Sequence, residues 1–401
     1  MSINIGLSGL RATSDQINTI SHNISNVGTV GYKSSRTEFQ DVYAPQFGGG
    51  EFGGVEVSNV RQSFTSGAAT STGRNSDLAI NGEGFFMVQQ NGQRMYTRNG
   101  IFNLDSDGYL VTADGLRLQG YGVSETGSIQ NGALTDLQIS TADMAAKVTT
   151  KVSLGVNLDA SAAVIVPKEK KFDKDDPSTF TCSASTTVYD SLGGEHEITQ
   201  YFVKTDENTW SVHYVADGKE LDPKNTQLEF DENGKLIKPE DPISVTLTPK
   251  NGSATMKIEM DVSEFTQFGS DFSINESKQD GYAPGKLAGW YFDADGSVYA
   301  RYSNGKTQLQ GQLVLARFPN QEGLQQAGGT RWTESFSSGT ALFGQPGTGQ
   351  FGALRVGAYE SSNVDLTEEM VSLMSAQSNY QANAKTIQAS QEMVQILFQN
   401  M

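Results

Sequence analysis

The sequence predicts a mainly β protein with terminal α. Its N- and C-terminal helices pair as a coiled coil and carry two β domains, the outer inserted in the inner. Three observations predict this. Both ends carry apolar residues repeating every 3.5 positions, the period of a left-handed seam. The long stretch between them is Gly-rich and strand-like, with 43 Gly against 10 Pro among 401 residues. One turn signature, Asp-x-Asp/Asn-Gly, recurs along that stretch.

The first helix is expected over about Ile3–Ile24. Ile3, Leu10, Ile17 and Ile24 occupy one heptad row, and Ile20 and Val27 the other, which Gly6 and Thr13 complete. Asn26, Gly28 and Gly31 end the pattern. Residues 31–70 read as a Gly-rich linker with local structure. Gly48, Gly49, Gly50, Gly53 and Gly54 supply its flexibility, and Val55–Val60 forms a short strand.

An inner β domain is expected over 71–145 and 285–361, with an outer β domain inserted over 146–284. Asn91-Gly92 between two alternating runs is a strong hairpin signal. Asp105–Gly108, Asp231–Gly234 and Asp293–Gly296 read as further hairpin tips. Within the insertion, runs at Ser185–Tyr189, His196–Lys204, Trp210–Val215, Ile243–Thr248 and Met256–Val262 alternate as strands do.

The terminal regions 1–30 and 362–401 form the helical core. The second helix starts near Asp365, with Asn363 or Asp365 as its cap. Its seam is Leu366, Met370, Leu373, Tyr380, Ile387, Val394 and Phe398, interrupted by Gln377 and Gln391. At 1.5 Å per residue it could extend about 50 Å.

Composition narrows the function. A net charge of −17 argues against nucleic acid or an anionic membrane as partner. No apolar run approaches the ~20 residues needed to insert across a bilayer. The start lacks the basic and apolar regions of a signal peptide. Cys182 is the only cysteine and there are three histidines, so no disulfide and no zinc site is expected.

Catalytic imitations fail on context. Gly48-x-Gly50-x-x-Gly53 and Gly347-x-Gly349-x-x-Gly352 lack the strand before and helix after that a dinucleotide site requires. The Asp-Gly tips lack the bidentate Glu at position twelve of a calcium loop, where Leu116, Pro242 and Asn304 stand. Glu195-His196-Glu197 reads as part of a solvated strand face. No enzyme, cofactor or metal is expected.

The helical ends carry little charge. Only Lys385 and Glu392 are charged between Met370 and Met401, and only Arg11 and Asp15 between Met1 and Tyr32. Solvent-facing helices usually carry charged pairs. These faces suit helices packed among like helices, so the ends read as seams of a polymer, marginal alone and ordered on association.

Three runs then carry a resemblance. Ser21-His22-Asn23-Ile24-Ser25-Asn26-Val27-Gly28-Thr29-Val30-Gly31-Tyr32-Lys33 resembles the N-terminal motif of bacterial flagellar rod and hook proteins. His22 stands where that family usually has Asn. Asp77–Phe86, with Tyr96-Thr97-Arg98-Asn99-Gly100, is similar to their shared β motif. Ser362-Asn363-Val364-Asp365-Leu366, leading into Gln377–Gln391, is similar to their C-terminal helix. The middle insertion favours the hook branch over the shorter rod proteins; a distal rod subunit is the alternative.

The resemblance implies a helical homopolymer: a curved, flexible tube joining motor rod to filament and transmitting torque as a universal joint. It implies as partners further copies of the chain, the distal rod protein, the hook cap, the hook–filament junction proteins and the flagellar export apparatus. It also implies an extracellular place reached without a cleaved signal peptide. The terminal helices would line the tube, with the inner β domain as middle layer and the insertion outermost.

Overall fold

A computed structural model describes residues 2–42, 53–124, 127–166, 171–224 and 226–399. The side chains of residues 2, 3, 131 and 397–399 fall outside that description. The expectations placed on Gly48, Gly49 and Gly50, and on the side chains of Ile3 and Phe398, therefore lie outside the described residues. The protein is mainly β with a helix at each end, as the sequence predicts. It divides into two compact units: Met1–Thr141 with Gly289–Arg301 and Thr307–Met401, and Ala142–Ala288 with Tyr302–Lys306.

In the first unit, helix α1 spans Ser2–Ser25 and helix α2 spans Leu366–Gln399. Asp365 caps α2: its Oδ1 accepts from the Thr367 and Glu368 N–H groups at 2.8 and 3.2 Å. Glu368 and Glu369 add negative charge at the positive end of the helix dipole. The described part of residues 31–70 includes a strand pair. The strand Ser35–Asp41 pairs antiparallel with Val55–Gln62. This hairpin lies along α1, with Thr37 Oγ1 3.0 Å from Thr19 Oγ1. Gly54 belongs to it: a Cβ there would lie 3.0 Å from Ser8 Oγ, whereas Gly53 faces open space.

The β part of this unit is built around Phe85–Gln90. That strand pairs with Gln93–Thr97 on one side and Arg117–Val123 on the other. The connection at Asn91-Gly92 takes positive φ at both residues (50° and 83°), the geometry of a two-residue hairpin that Gly accepts without strain. Phe85, Met87, Tyr96, Phe318 and Trp332 form the core behind it. Two late strands return to early ones. Ala353–Val356 pairs with Leu78–Asn81, and Ala358–Glu360 pairs with Ala69–Ser71.

The second unit is a two-sheet sandwich. One sheet holds Ile243–Leu247, Met256–Asp261, Lys151–Asp159, Thr266–Phe268 and Ser273–Gln279. The other runs from Cys182–Tyr189 through Glu195–Asp206, Thr209–Ala216 and Thr226–Phe230 to Leu236–Lys238. Alternating burial along Cys182–Tyr189 and Ile243–Leu247 points one face of each inward. Val152, Phe202, Trp210, Tyr214, Val245 and Ile258 are fully buried between them.

All three predicted tips are turns. Asp105 Oδ1 accepts from the Asp107 and Tyr109 N–H groups, and Asp231 Oδ1 from those of Asn233 and Lys235. Asp295 Oδ1 accepts from Ser297 N–H at 2.8 Å.

Candidate assembly site

The helices α1 and α2 pair antiparallel. Gly6 and Gly9 near the start of α1 face Ile387 and Asn383 late in α2, and Asn23 near its end meets Glu369 early in α2. The contact row is not the large apolar one. A Cβ on Gly6 would lie 2.8 Å from Ile387 Cγ1, and one on Gly9 would lie 2.8 Å from the Asn383 amide. Gly6, Gly9, Ala12, Thr13, Ile20 and Asn23 are the buried residues of α1. Among the described side chains of α2, Ala376 and Ser390 are buried, with Leu373, Asn383, Ala384 and Ile387 half-buried.

The residues of the expected seam are unequally buried in the single chain. Of its large residues, Ile20 is inside, while Leu10, Ile17, Ile24, Leu373 and Ile387 are half-buried. Val27, Leu366, Met370, Tyr380 and Val394 are exposed, from 38% for Val27 to 51% for Met370. The physical reason is size. Glycine and alanine let the two backbones approach closely, so the small row closes inward and rotates the bulky row outward. Val371, Met374 and Met393 are exposed as well.

At the base of the pair lies a buried ionic lock. Lys33, Arg98 and Glu360 are each 1% exposed. Lys33 Nζ sits 2.7 Å from Glu360 Oε1 and donates to the Thr65 carbonyl at 2.6 Å. Arg98 Nη1 sits 3.2 Å from Glu360 Oε2, and its Nη2 donates to the Gly82 carbonyl at 2.9 Å. The Gly67 N–H also donates to Glu360 Oε1. The Glu360 main-chain carbonyl accepts from Gly31 N–H at 2.8 Å. Gly31 adopts φ +68°, and a Cβ there would lie 2.6 Å from the Arg98 carbonyl carbon. No other residue type fits that position without strain.

Burial lowers the pKa of Lys33, against the attraction of Glu360 and with the repulsion of Arg98. Burial likewise lowers that of Arg98, again opposed by Glu360. The lock thus carries a desolvation cost, and its yield is a fixed geometry.

Two asparagines extend the lock. Asn23 Oδ1 accepts from Ser35 N–H and Tyr32 O–H. Its Nδ2 donates to the Ser35 carbonyl and to Glu369 Oε1, both at 2.8 Å. Burial raises the pKa of Glu369 despite the Asn23 hydrogen bond. Asn363 Oδ1 accepts from Ser34 N–H at 2.7 Å, and its Nδ2 donates to the Ser63 carbonyl at 2.9 Å. The exit of α1, the hairpin stem, the β part of the first unit and the entry of α2 are therefore tied at one place.

The three sequence runs singled out for their resemblance converge here: Asn23, Gly31, Tyr32 and Lys33 from the first, Arg98 from the second, Asn363 from the third. Glu360 was missed. Its only signal is a lone acidic residue just before the third run.

The second unit holds its own polar cluster. His196 Nε2 lies 3.1 Å from Asp190 Oδ2, and Nδ1 lies 3.0 Å from Asp217 Oδ2. Asp190 Oδ1 also accepts from the Leu192 and Gly194 N–H groups. Burial disfavours the imidazolium, but hydrogen bonds to Asp190 and Asp217 outweigh it and raise the His196 pKa. Burial likewise disfavours the Asp190 carboxylate. Donors from Asn251, His196 and the backbone outweigh it and hold Asp190 well below the carboxylate range. His196 thus faces inward, while Glu195 and Glu197 are exposed. Among the described residues no cluster of His, Cys, Asp and Glu could hold a metal, and no helix is long and apolar enough to cross a membrane.

The two ends of the chain thus pair, lock at their base and leave a bulky row outward. Four family models match the chain in order along the sequence. They are the flagella basal body rod protein over 3–33 and the flagellar hook protein FlgE/F/G D1 domain over 79–158. The flagellar basal body protein FlaE D2 domain follows over 157–282, and the flagellar basal body rod FlgEFG protein C-terminal over 355–400.

The chain belongs to the flagellar hook protein family. It is 40% identical to flagellar hook protein FlgE of Escherichia coli (strain K12) over 405 residues, covering 99% of each chain. It is 36% identical to that of Rhizobium meliloti (strain 1021), covering 98% of this chain and 97% of the relative. A crystal structure of Helicobacter pylori flagellar hook protein FlgE2 shares the fold, with a TM-score of 0.54 at 16% identity. It covers 71% of this chain and 98% of that one.

Proposed function

We propose that the chain is the structural subunit of a flagellar hook. Its copies polymerise into a curved, flexible tube that couples the motor rod to the filament and transmits torque as a universal joint. One observation carries the reading. The paired helices turn their small row inward and leave Leu366, Met370, Val371, Met374, Tyr380 and Met393 exposed. A helix pair that keeps its large apolar residues outside is completed by neighbours. Family membership supports the hook over a distal rod subunit.

In this reading the seam residues act between subunits as well as within one. Each subunit's lock passes load from the helical core to the β layers, and its fixed geometry resists twist. Gly53 would take up angular change at the hairpin end, with Gly54 seated on α1. Regions 71–145 and 285–361 would form the middle layer and 146–284 the outer one. The distal rod protein, hook cap and hook–filament junction proteins would meet the ends of the tube. Subunits would reach the cell exterior through the flagellar export apparatus.

The test is truncation. Removal of Met1–Asn26, or of the last twenty residues, should abolish polymerisation of purified protein while the second unit stays folded. Electron microscopy of the intact chain should show curved hollow tubes. Unimpaired assembly after either truncation would refute the proposal.

A further inference from the structure

Phe336 is the most exposed large apolar residue of the described protein, at 106% of its reference accessibility. It sits between the strands Arg331–Thr333 and Leu342–Gly344. An exposed aromatic on a floppy loop would carry little meaning. This loop is built. Ser335 N–H donates to Ser338 Oγ at 2.9 Å, and Ser338 N–H returns to Ser335 Oγ at 3.2 Å. Ser337 N–H reaches the same Ser335 Oγ at 3.1 Å, and Ser338 Oγ donates to the Ser335 carbonyl at 2.9 Å. Asn320 Nδ2 donates to the Ser337 carbonyl at 3.0 Å from outside the loop, and Ser335 Oγ donates to the Gly323 carbonyl. Ser338 is fully buried. The serines hold both sides of Phe336 and leave its ring no contact to collapse onto.

Such an arrangement is a preorganised anchor. A rigid aromatic loses little entropy on seating, and fully desolvated aromatics dominate interface energetics. Electrostatics indicates what it seats against. The chain carries a net charge of −17, so two copies repel wherever charged faces meet. No charged residue stands between Glu334 and Arg355. The stretch that presents Phe336 carries no charge of its own; of the nearby carboxylates, Glu322 is paired with Arg61 and Glu334 lies two residues before the ring, so the penalty for a second copy's approach is reduced there.

We infer that Phe336 is an assembly anchor that inserts into an apolar recess on a second copy of this chain. The contact is heterologous: a knob on one copy meets a different surface on the next, the kind of contact that propagates helical polymers instead of closing dimers. The inference rests on the hook-subunit reading and adds to the helical seams an anchor in the β part.

The test uses the full-length chain. Phe336→Ala removes a fully exposed ring, so the monomer should unfold at the wild-type midpoint. The concentration needed for polymerisation should rise about tenfold. Ser335→Ala keeps the ring but loosens the loop, and should raise it less. Photo-crosslinkable p-benzoylphenylalanine in place of Phe336 should give chain-to-chain dimers in the polymer and none in dilute monomer. If the wild type polymerises and Phe336→Ala polymerises equally well, with no chain-to-chain crosslink, the anchor is overturned and the hook reading stands. If crosslinks form only to a different protein, the choice of partner is overturned. A wild-type chain that forms no polymer sinks the hook reading and the anchor together.

Discussion

The inserted sandwich and the helix pair dispose of their large apolar residues in opposite ways. In the sandwich, Trp210, Phe202, Tyr214 and Ile258 are fully buried between two sheets. In the helix pair, Gly6, Gly9 and Ala376 are inside while Met370, Val371 and Met374 are 51–62% exposed. The first is complete in one chain. The second leaves them in solvent. A core of alternating strands needs nothing further, whereas a pair held by small residues and a polar lock leaves an apolar surface, which on the proposed reading a neighbouring copy covers.

The largest effect should come from breaking the lock. Glu360→Gln leaves Lys33 and Arg98 buried without a countercharge, and removing one partner of such a group costs about 3–5 kcal/mol. Denaturant unfolding should show the first unit destabilised and the sandwich unchanged. An unchanged first unit would mean that the Lys33 and Arg98 charges find other compensation.

The sandwich has its own polar dependence, and it titrates. The His196 pKa is raised and that of Asp190 lowered. The Asp190 contribution is present above the ordinary carboxylate pKa of about 3.9 and lost as pH falls through its depressed value. The His196 contribution is full below the ordinary histidine pKa of about 6.5 and lost as pH rises through its raised value. His196→Gln should cost about 1.5–3 kcal/mol near neutrality. It should also flatten the alkaline fall in stability of the sandwich, read by hydrogen exchange across Glu195–Asp206. An unaltered alkaline slope would remove His196 as its source.

These regions differ in how far the sequence discloses them. The Asp105, Asp231 and Asp295 turns and the Asp365 cap are legible because each is a local bond, formed within a few residues of its own backbone. The sandwich strands are legible because alternation alone decides which side faces in. The helix pair is legible as two helices that meet, but its facing rows are not. Large apolar residues read as interior, and Gly6 or Gly9 reads as a weakness until a side chain of the second helix, Ile387 or Asn383, lies 2.8 Å from its missing Cβ. The lock is illegible for a different reason. Glu360 lies 327 residues from Lys33 and 262 from Arg98 in sequence. Nothing local marks three charges as one buried group.

The small row itself can be tested next. Gly9→Val places branched carbon where the Asn383 amide now lies, and overpacking of this kind costs about 1–3 kcal/mol. Part of that should be offset, since glycine is among the poorest helix formers. Loss of α1–α2 pairing, seen as faster amide exchange in both helices, is the expected signature. Unchanged exchange would show that the pair has room to spare.

The smallest effect on the single chain should be the most telling about the outward row. Val371→Ser with Met374→Ser changes two residues that are 56% and 62% exposed in the monomer. Surface substitutions of this kind usually stay within about 0.5 kcal/mol, so thermal unfolding should barely move. Polymerisation should fall sharply, because each side chain buried against a neighbour is worth about 1.5–3 kcal/mol, repeated at every subunit. The double variant therefore separates the two halves of the comparison. If stability drops with assembly, the row works inside the chain. If neither changes, the contact between copies lies on another face of α2. Only a stable monomer that no longer polymerises leaves the outward row as the surface completed by a neighbouring copy.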